Sequence, residues 1–138
     1  MTPQQVAQVQ ASFKKVAPIA DQAAALFYGR LFETAPEVRA LFTGDLKAQG
    51  RKLMTTIATV VNGLDDLDAI APAVCDLAKR HVAYGVRPEH YAPVGAALLW
   101  TVEQGLGGNF TPAVSAAWAA AYAALSDMMI AAAYPGSN

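Results

Sequence analysis

This sequence predicts an all-α fold, on three observations. Thirty of its 138 residues are alanine, the side chain that loses no rotamer entropy in a helix. Apolar residues recur at three- and four-residue spacing, and no stretch alternates apolar and polar for long. Proline, capping residues and glycine fall where helix starts and stops belong. At this length one domain, residues 1–138, is expected, with about seven helices.

Thr2-Pro3 reads as an N-cap followed by proline at the first helical position, opening a helix to about Val16. Val6, Val9, Phe13 and Val16 give it one apolar face. Pro18 interrupts, and a second helix runs from about Ile19 to Thr34, with Ala23, Leu26, Phe27, Leu31 and Phe32 among its apolar members. Pro36 starts a short third helix ending near Phe42, and Thr43-Gly44-Asp45 is a turn signal. The next helix spans about Leu46 to Asn62 and closes at Asn62-Gly63. Asp65, Asp66 and Asp68 read as an acidic connector, after which Pro72 opens a helix carrying Val74, Leu77, Ala78 and His81 to a stop at Tyr84-Gly85. Pro88 begins another helix to about Leu106, with Pro93 near its first turn, where a missing backbone donor does least harm. Gly107-Gly108 ends it. Thr111-Pro112 repeats the cap-plus-proline device for a long last helix to about Ala133, and the tail from Pro135 is expected to fray.

Composition excludes several function classes. The net charge is −1 with Lys and Arg dispersed, so no basic stripe offers itself to nucleic acid. Cys75 stands alone, which removes a disulfide framework and a cysteine-rich zinc site and fits a reducing compartment. The amphipathic N-terminus has no signal-peptide core. The segment from Ala116 to Ala133 is apolar, but Ser126 and Asp127 interrupt it and alanine drives insertion weakly, so a buried core helix and a cytoplasmic location are expected. There is no glycine-rich phosphate loop and no spacing typical of a Ser/His/Asp triad. Two histidines and one cysteine make no ligand cluster. Any chemistry is therefore expected from a cofactor.

His81 lies one turn after Leu77 on the same helix face, where a neutral imidazole could ligate a metal or simply pack and cap its helix. Gln49, Leu53 and Ile57 share a face of their helix. Gln49 there serves either as a donor into a dry pocket or as a solvent-facing residue of the first turn. Tyr28, in LFYGRLF, would need a partner for a buried hydroxyl, and core packing is the alternative for it, Phe32 and Phe42.

The run HVAYGVRPEHYAPVGAALL (His81 to Leu99) resembles the proximal stretch of bacterial single-domain globins and of the globin part of flavohaemoglobins. LFYGRLFETAPEVRALF (Leu26 to Phe42) is similar to the second and third helices of that family, QGRKLM (Gln49 to Met54) to its distal helix, and AAWAAAYAAL (Ala116 to Leu125) to its final helix. The order and near-globin spacing hold over almost the whole chain. The resemblance implies a globin fold around haem b (iron protoporphyrin IX), with His81 as the proximal ligand and metal-binding residue. Phe42 then packs on the haem face, while Tyr28, Gln49 and Leu53 surround the gas. Tyr91 matches a tyrosine that touches the proximal histidine's network. Lys52 resembles a residue that meets a propionate, Arg80 is a second candidate for that contact, and Val86 and Val94 join the haem-lining set.

Two departures from the family bear on chemistry. The segment between Phe42 and Gln49 is shorter than in flavohaemoglobins, so the small helix between the third and distal helices is expected to be absent. Ala133 stands where flavohaemoglobins carry a glutamate that partners the proximal histidine; without that anion, reversible binding is favoured over oxygen activation. The resemblance thus implies a gas binder for O2, CO and NO, with Tyr28 and Gln49 hydrogen-bonding O2 and raising its affinity. The alternative is NO dioxygenation fed by a separate reductase, since no flavin or nicotinamide domain is expected in these residues. With no histidine at the Gln49 position and His90 expected at the surface, a bis-histidine state is not expected.

Overall fold

Six α-helices and four 3-10 turns make up the computed structural model, which describes residues 1–42 and 44–134; no strand occurs among them. The helices are α1 (Pro3–Val16), α2 (Ala20–Thr34), α3 (Leu46–Asn62), α4 (Leu67–Ala83), α5 (Tyr91–Leu106) and α6 (Pro112–Ala133). Side-chain caps explain four of the six starts. Thr2 and Gln5 exchange side-chain and backbone bonds in a capping box, while Asp45, Asp66 and Thr111 each accept from an amide of the following first turn. α2 and α5 instead grow out of 3-10 turns, Ala17–Ile19 and Pro88–His90, in which a proline takes the second and the first position respectively.

Three boundaries differ from the sequence expectation. α4 begins at Leu67, not at Pro72, which lies inside the helix. Asp66, read as connector, is the cap, and Asp68 is in the first turn. An internal proline costs about 3 kcal/mol, but starting at Leu67 lets Leu67 and Ile70 pack against the core as well as Val74 and Ala78. The expected third helix is a 3-10 turn, Pro36–Leu41. No helix intervenes between it and α3 among the described residues, in line with the short connection. The Pro88 start is the 3-10 turn, and α5 proper opens at Tyr91 with Pro93 in its first turn. Thr43 of the expected turn, and the Pro135 tail, lie outside the described residues.

Gly63 ends α3 with φ −100°, so it is not there for a left-handed cap. A Cβ at this position would lie 2.5 Å from Ile70 Cγ2; glycine is needed because the start of α4 folds back onto the end of α3.

Two of the core clusters lie along α6. Its first half buries Ala117, Trp118 and Ala121 against Val9, Phe13 and Val16 of α1. Its second half packs Met129 with Val74 and Ala78 of α4. α6 is long and apolar enough to cross a membrane by length and composition, and here its apolar face is spent on α1 and α4. Trp118 Nε1 donates to Ser12 Oγ at 2.8 Å, and Ser12 Oγ donates onward to the Gln8 carbonyl at 2.8 Å. Both buried polar groups are thereby satisfied.

α5 crosses α6 at Gly95, where a Cβ would lie 2.4 Å from Tyr122 Cε2. The close approach lets Tyr122 Oη donate to the Tyr91 carbonyl at 2.6 Å. Gly95→Ala is expected to displace that ring and destabilise the fold by about 1–3 kcal/mol, the usual cost of overpacking. Thermal unfolding of the two proteins checks this, at roughly 4 °C per kcal/mol for a chain of this size.

Candidate functional site

α3 and α4 follow one another in the chain, yet they are not among the helix pairs that pack extensively: α3 leans on α2 and α1, α4 on α6. Two apolar clusters flank the space this leaves, and α5 joins them. One cluster holds Phe27, Tyr28, Leu31, Val38 and Ala97, with Phe42, Leu53, Val94 and Leu98 packed on it. The other holds Val74, Ala78, Tyr91 and Met129, with Leu77 and Val86 packed on it. At one end the turn after α4 meets the Pro36–Leu41 turn: a Cβ on Gly85, whose φ is +92°, would lie 3.3 Å from Leu41 Cδ2. Phe42, Leu53, Leu77, Val86, Val94 and Leu98 are all only half-buried. A set of apolar side chains left this open on facing elements suits a large, flat apolar group. A small apolar pocket behind Leu53, bordered by Phe27, Ile57, Leu98 and Trp118, measures only about 10 Å³ and is far too small for one.

His81 is in the last turn of α4, half-buried. Its Nδ1 is 2.8 Å from the Leu77 carbonyl. A carbonyl only accepts, so Nδ1 carries the proton and Nε2 keeps its lone pair. Burial lowers the pKa of His81 and the Arg80 charge adds to this, while the bond to Leu77 opposes it. The ring is thus a neutral, oriented ligand with one nitrogen to offer. Among the described residues no group of three His, Cys, Asp or Glu is placed to hold a metal ion. One imidazole holds iron firmly only if a macrocycle supplies the other bonds. The donor set and the apolar walls therefore fit haem rather than a bare ion.

On the α2 side, Tyr28 is 6% exposed and its hydroxyl has no hydrogen-bond partner among the described residues. Burial pushes its pKa up to about 12, so it stays a neutral donor. Its ring is held edge-on by Phe27 and Phe42, both at 5.3 Å, and stacked on Phe32 at 5.8 Å. α3 approaches it closely at Gly50, where a Cβ would lie 2.9 Å from Ala24 Cβ and 3.6 Å from Tyr28 Cε2. The structure thus brings Tyr28, Phe42, Leu53 and Val94 together in one cluster. It brings His81's neighbour Leu77 together with Val86 and Tyr91 in the other. Gln49, in the first turn of α3, is exposed, as are Lys52 and Arg80. His90 is half-buried, and its Nδ1 accepts from the Arg87 amide at 2.9 Å, so it caps its own turn. Cys75 is a free, half-buried thiol.

Tyr122 and Tyr134 were not read as site residues from sequence, yet both reach the His81 side. Tyr122 holds the Tyr91 carbonyl, and Tyr134 Oη donates to the Val86 carbonyl. Their signal in the sequence is slight, a tyrosine among alanines in each case. The Tyr91 hydroxyl is fully buried without a partner among the described residues, and burial raises its pKa, with Tyr134 adding to the effect.

A family model described as Globin matches residues 25–129. The chain is 38% identical over 107 residues to a flavohemoprotein of Bordetella parapertussis, covering 75% of this chain and 27% of that protein. It is 38% identical over 110 residues to one of Pseudomonas putida, covering 77% and 28%. It is 32% identical over 133 residues to one of Deinococcus radiodurans, covering 94% and 33%. The chain thus spans about a third or less of the length of these relatives. With an all-α fold, a neutral histidine offered beside an apolar cleft, and a family match across both walls of that cleft, the chain belongs to the globin family, whose members hold haem to bind small gases.

Proposed function

We propose that this chain holds one haem b between α3 and α4 through His81, and that it binds O2 reversibly and with high affinity, taking CO and NO at the same place. The observation that carries this reading is the His81 imidazole, fixed through Nδ1 on the Leu77 carbonyl so that Nε2 is left to ligate. Haem, when bound, supplies the open iron position at which the gas is held. The chain's residues do the rest. Phe42, Val86 and Val94 provide apolar contact for the macrocycle, and their half-buried state supports that role. Lys52 and Arg80, both exposed, suit carboxylates that reach solvent.

Discrimination between gases falls to Tyr28. O2 gains more negative charge on binding than CO does, so a neutral hydroxyl donor favours it. A hydrogen bond to a charged acceptor contributes roughly 1.5–3 kcal/mol, or about one to two decades in affinity. Gln49 is the second candidate donor, and it serves by rotating its exposed side chain inward. Leu53 keeps the pocket dry and sets its width. Ala133 leaves His81 without an anionic partner at that position, which favours reversible binding. A cytoplasmic setting accompanies this reading.

The relatives' name, flavohemoprotein, pairs a flavin with a haem and favours a second reading. In it NO and O2 combine with one electron to give nitrate, the electron coming from a separate flavin reductase. Stopped-flow O2 release from the reduced, haem-loaded protein, run beside nitrate production with a flavin reductase and NADH, separates the two. Slow release without sustained nitrate is the expected result. Sustained turnover would make the chain an NO dioxygenase.

A further inference from the structure

The turn that follows His81 is built around the histidine's own backbone. The His81 carbonyl accepts from the Tyr84 amide at 3.1 Å and from the Val86 amide at 3.0 Å, and the Gly85 amide bonds the Val82 carbonyl at 3.0 Å. Gly85 reverses the chain at φ +92°. Val86 is thus tied directly to His81, and whatever holds Val86 also fixes the end of the helix on which the imidazole is mounted.

The far end of α6 provides that hold. Tyr134 follows the last residue of α6, its amide bonded to the Ile130 carbonyl at 2.9 Å, and its hydroxyl donates to the Val86 carbonyl. Tyr134 packs in the same cluster as Val86, Tyr91 and Met129, next to the buried Tyr91 hydroxyl. The link spans 48 residues and closes the His81 turn onto a helix already packed along α4. Both sides of His81 are then fixed: its ring by Leu77 within α4, its backbone by Tyr134 through Val86. We propose that Tyr134 is a positioning residue for His81, setting the placement of the imidazole toward iron through the Val86 carbonyl. The inference rests on the reading of His81 as the iron ligand, and it gives a neutral hydroxyl the anchoring task at a place where Ala133 can offer no side-chain bond.

The test is Tyr134→Phe, which removes one oxygen and keeps the ring, with Tyr84→Phe as a control, since it keeps the ring beside His81 and removes only the hydroxyl of a side chain that is 62% exposed. Three readouts are taken. In the haem-loaded ferrous protein, resonance Raman reports the iron–histidine stretching band. Haem transfer to an excess of apomyoglobin reports the loss rate. In the haem-free protein, amide exchange reports the Tyr84 and Val86 amides. Tyr134→Phe is expected to shift or broaden the iron–histidine band and to speed haem loss about tenfold, the lower end of what losing a partner behind a ligating histidine costs. Exchange at the Val86 amide should also quicken, with helical circular dichroism unchanged and Tyr84→Phe like the parent. A parent protein that shows the band and a variant that leaves band, loss rate and exchange in place would overturn the role of Tyr134 alone. A parent that takes up haem without an iron–histidine band would overturn the His81 reading and this inference together.

Discussion

Replacing His81 by glycine is expected to leave a folded helical protein that no longer retains haem. The imidazole's contacts within the fold are local, a bond to the Leu77 carbonyl one turn back and a ring contact with Tyr84, on a helix already anchored by Val74 and Ala78. On the proposed reading haem retention depends on it heavily, because His81 would supply the nitrogen to iron while His90 uses its Nδ1 to cap its own turn. The measurement is the Soret band after gel filtration, which should be lost in the variant and reappear when free imidazole is added to fill the vacated space. Helical circular dichroism should be the same in both proteins. A Soret band that survives filtration without imidazole would move the ligand away from His81.

The second large effect is expected at Tyr28→Phe. The ring would keep its contacts with Phe27, Phe32 and Phe42. The hydroxyl makes no hydrogen bond with any described residue, so its removal breaks none among them and stability should barely change. The O2 dissociation rate should rise about 10- to 100-fold, the equivalent of one bond to a charged acceptor. The CO dissociation rate should change far less, since CO gains less charge. No protonation of Tyr28 interferes near neutrality, because burial raises its pKa to about 12 and the hydroxyl remains a donor throughout. Equal changes for the two gases would mean that the ring shapes the pocket and the hydroxyl does not select.

Much of the fold was legible because its punctuation is local. Thr2 and Thr111 act on amides three residues away, so the sequence carries both halves of the interaction; Asp66 caps in the same local way but was masked by its place in a run of aspartates. Pro72 misled because a proline opens a helix far more often than it lies within one, and only the packing of Leu67 and Ile70, which is tertiary, reverses that preference. Gly63 marked the end of α3 correctly, but for a reason the sequence does not show: its lack of a side chain answers to Ile70, seven residues on, and not to its own backbone angle. For the site, the spacing of Leu77 and His81 suggested a ligand without deciding it, and the resemblance to globins named it. Tyr122 and Tyr134 escaped because their bonds span 31 and 48 residues and leave no periodic trace.

The double use of α6 has a consequence for how the protein is made. The partners of α6 are the first helix and the helix that carries His81, and the Trp118–Ser12 bond spans 106 residues of chain. Synthesis proceeds at roughly 5–20 residues per second, so α1 waits about 5–20 seconds for the helix that covers it. During that interval Val9, Phe13 and Val16 have no native cover from α6, and the His81 helix lacks its main packing partner. Capture of haem is therefore a closing event, possible only once α6 has left the ribosome. A ribosome stalled before residue 112 would carry a chain that is already helical in parts but has no affinity for haem.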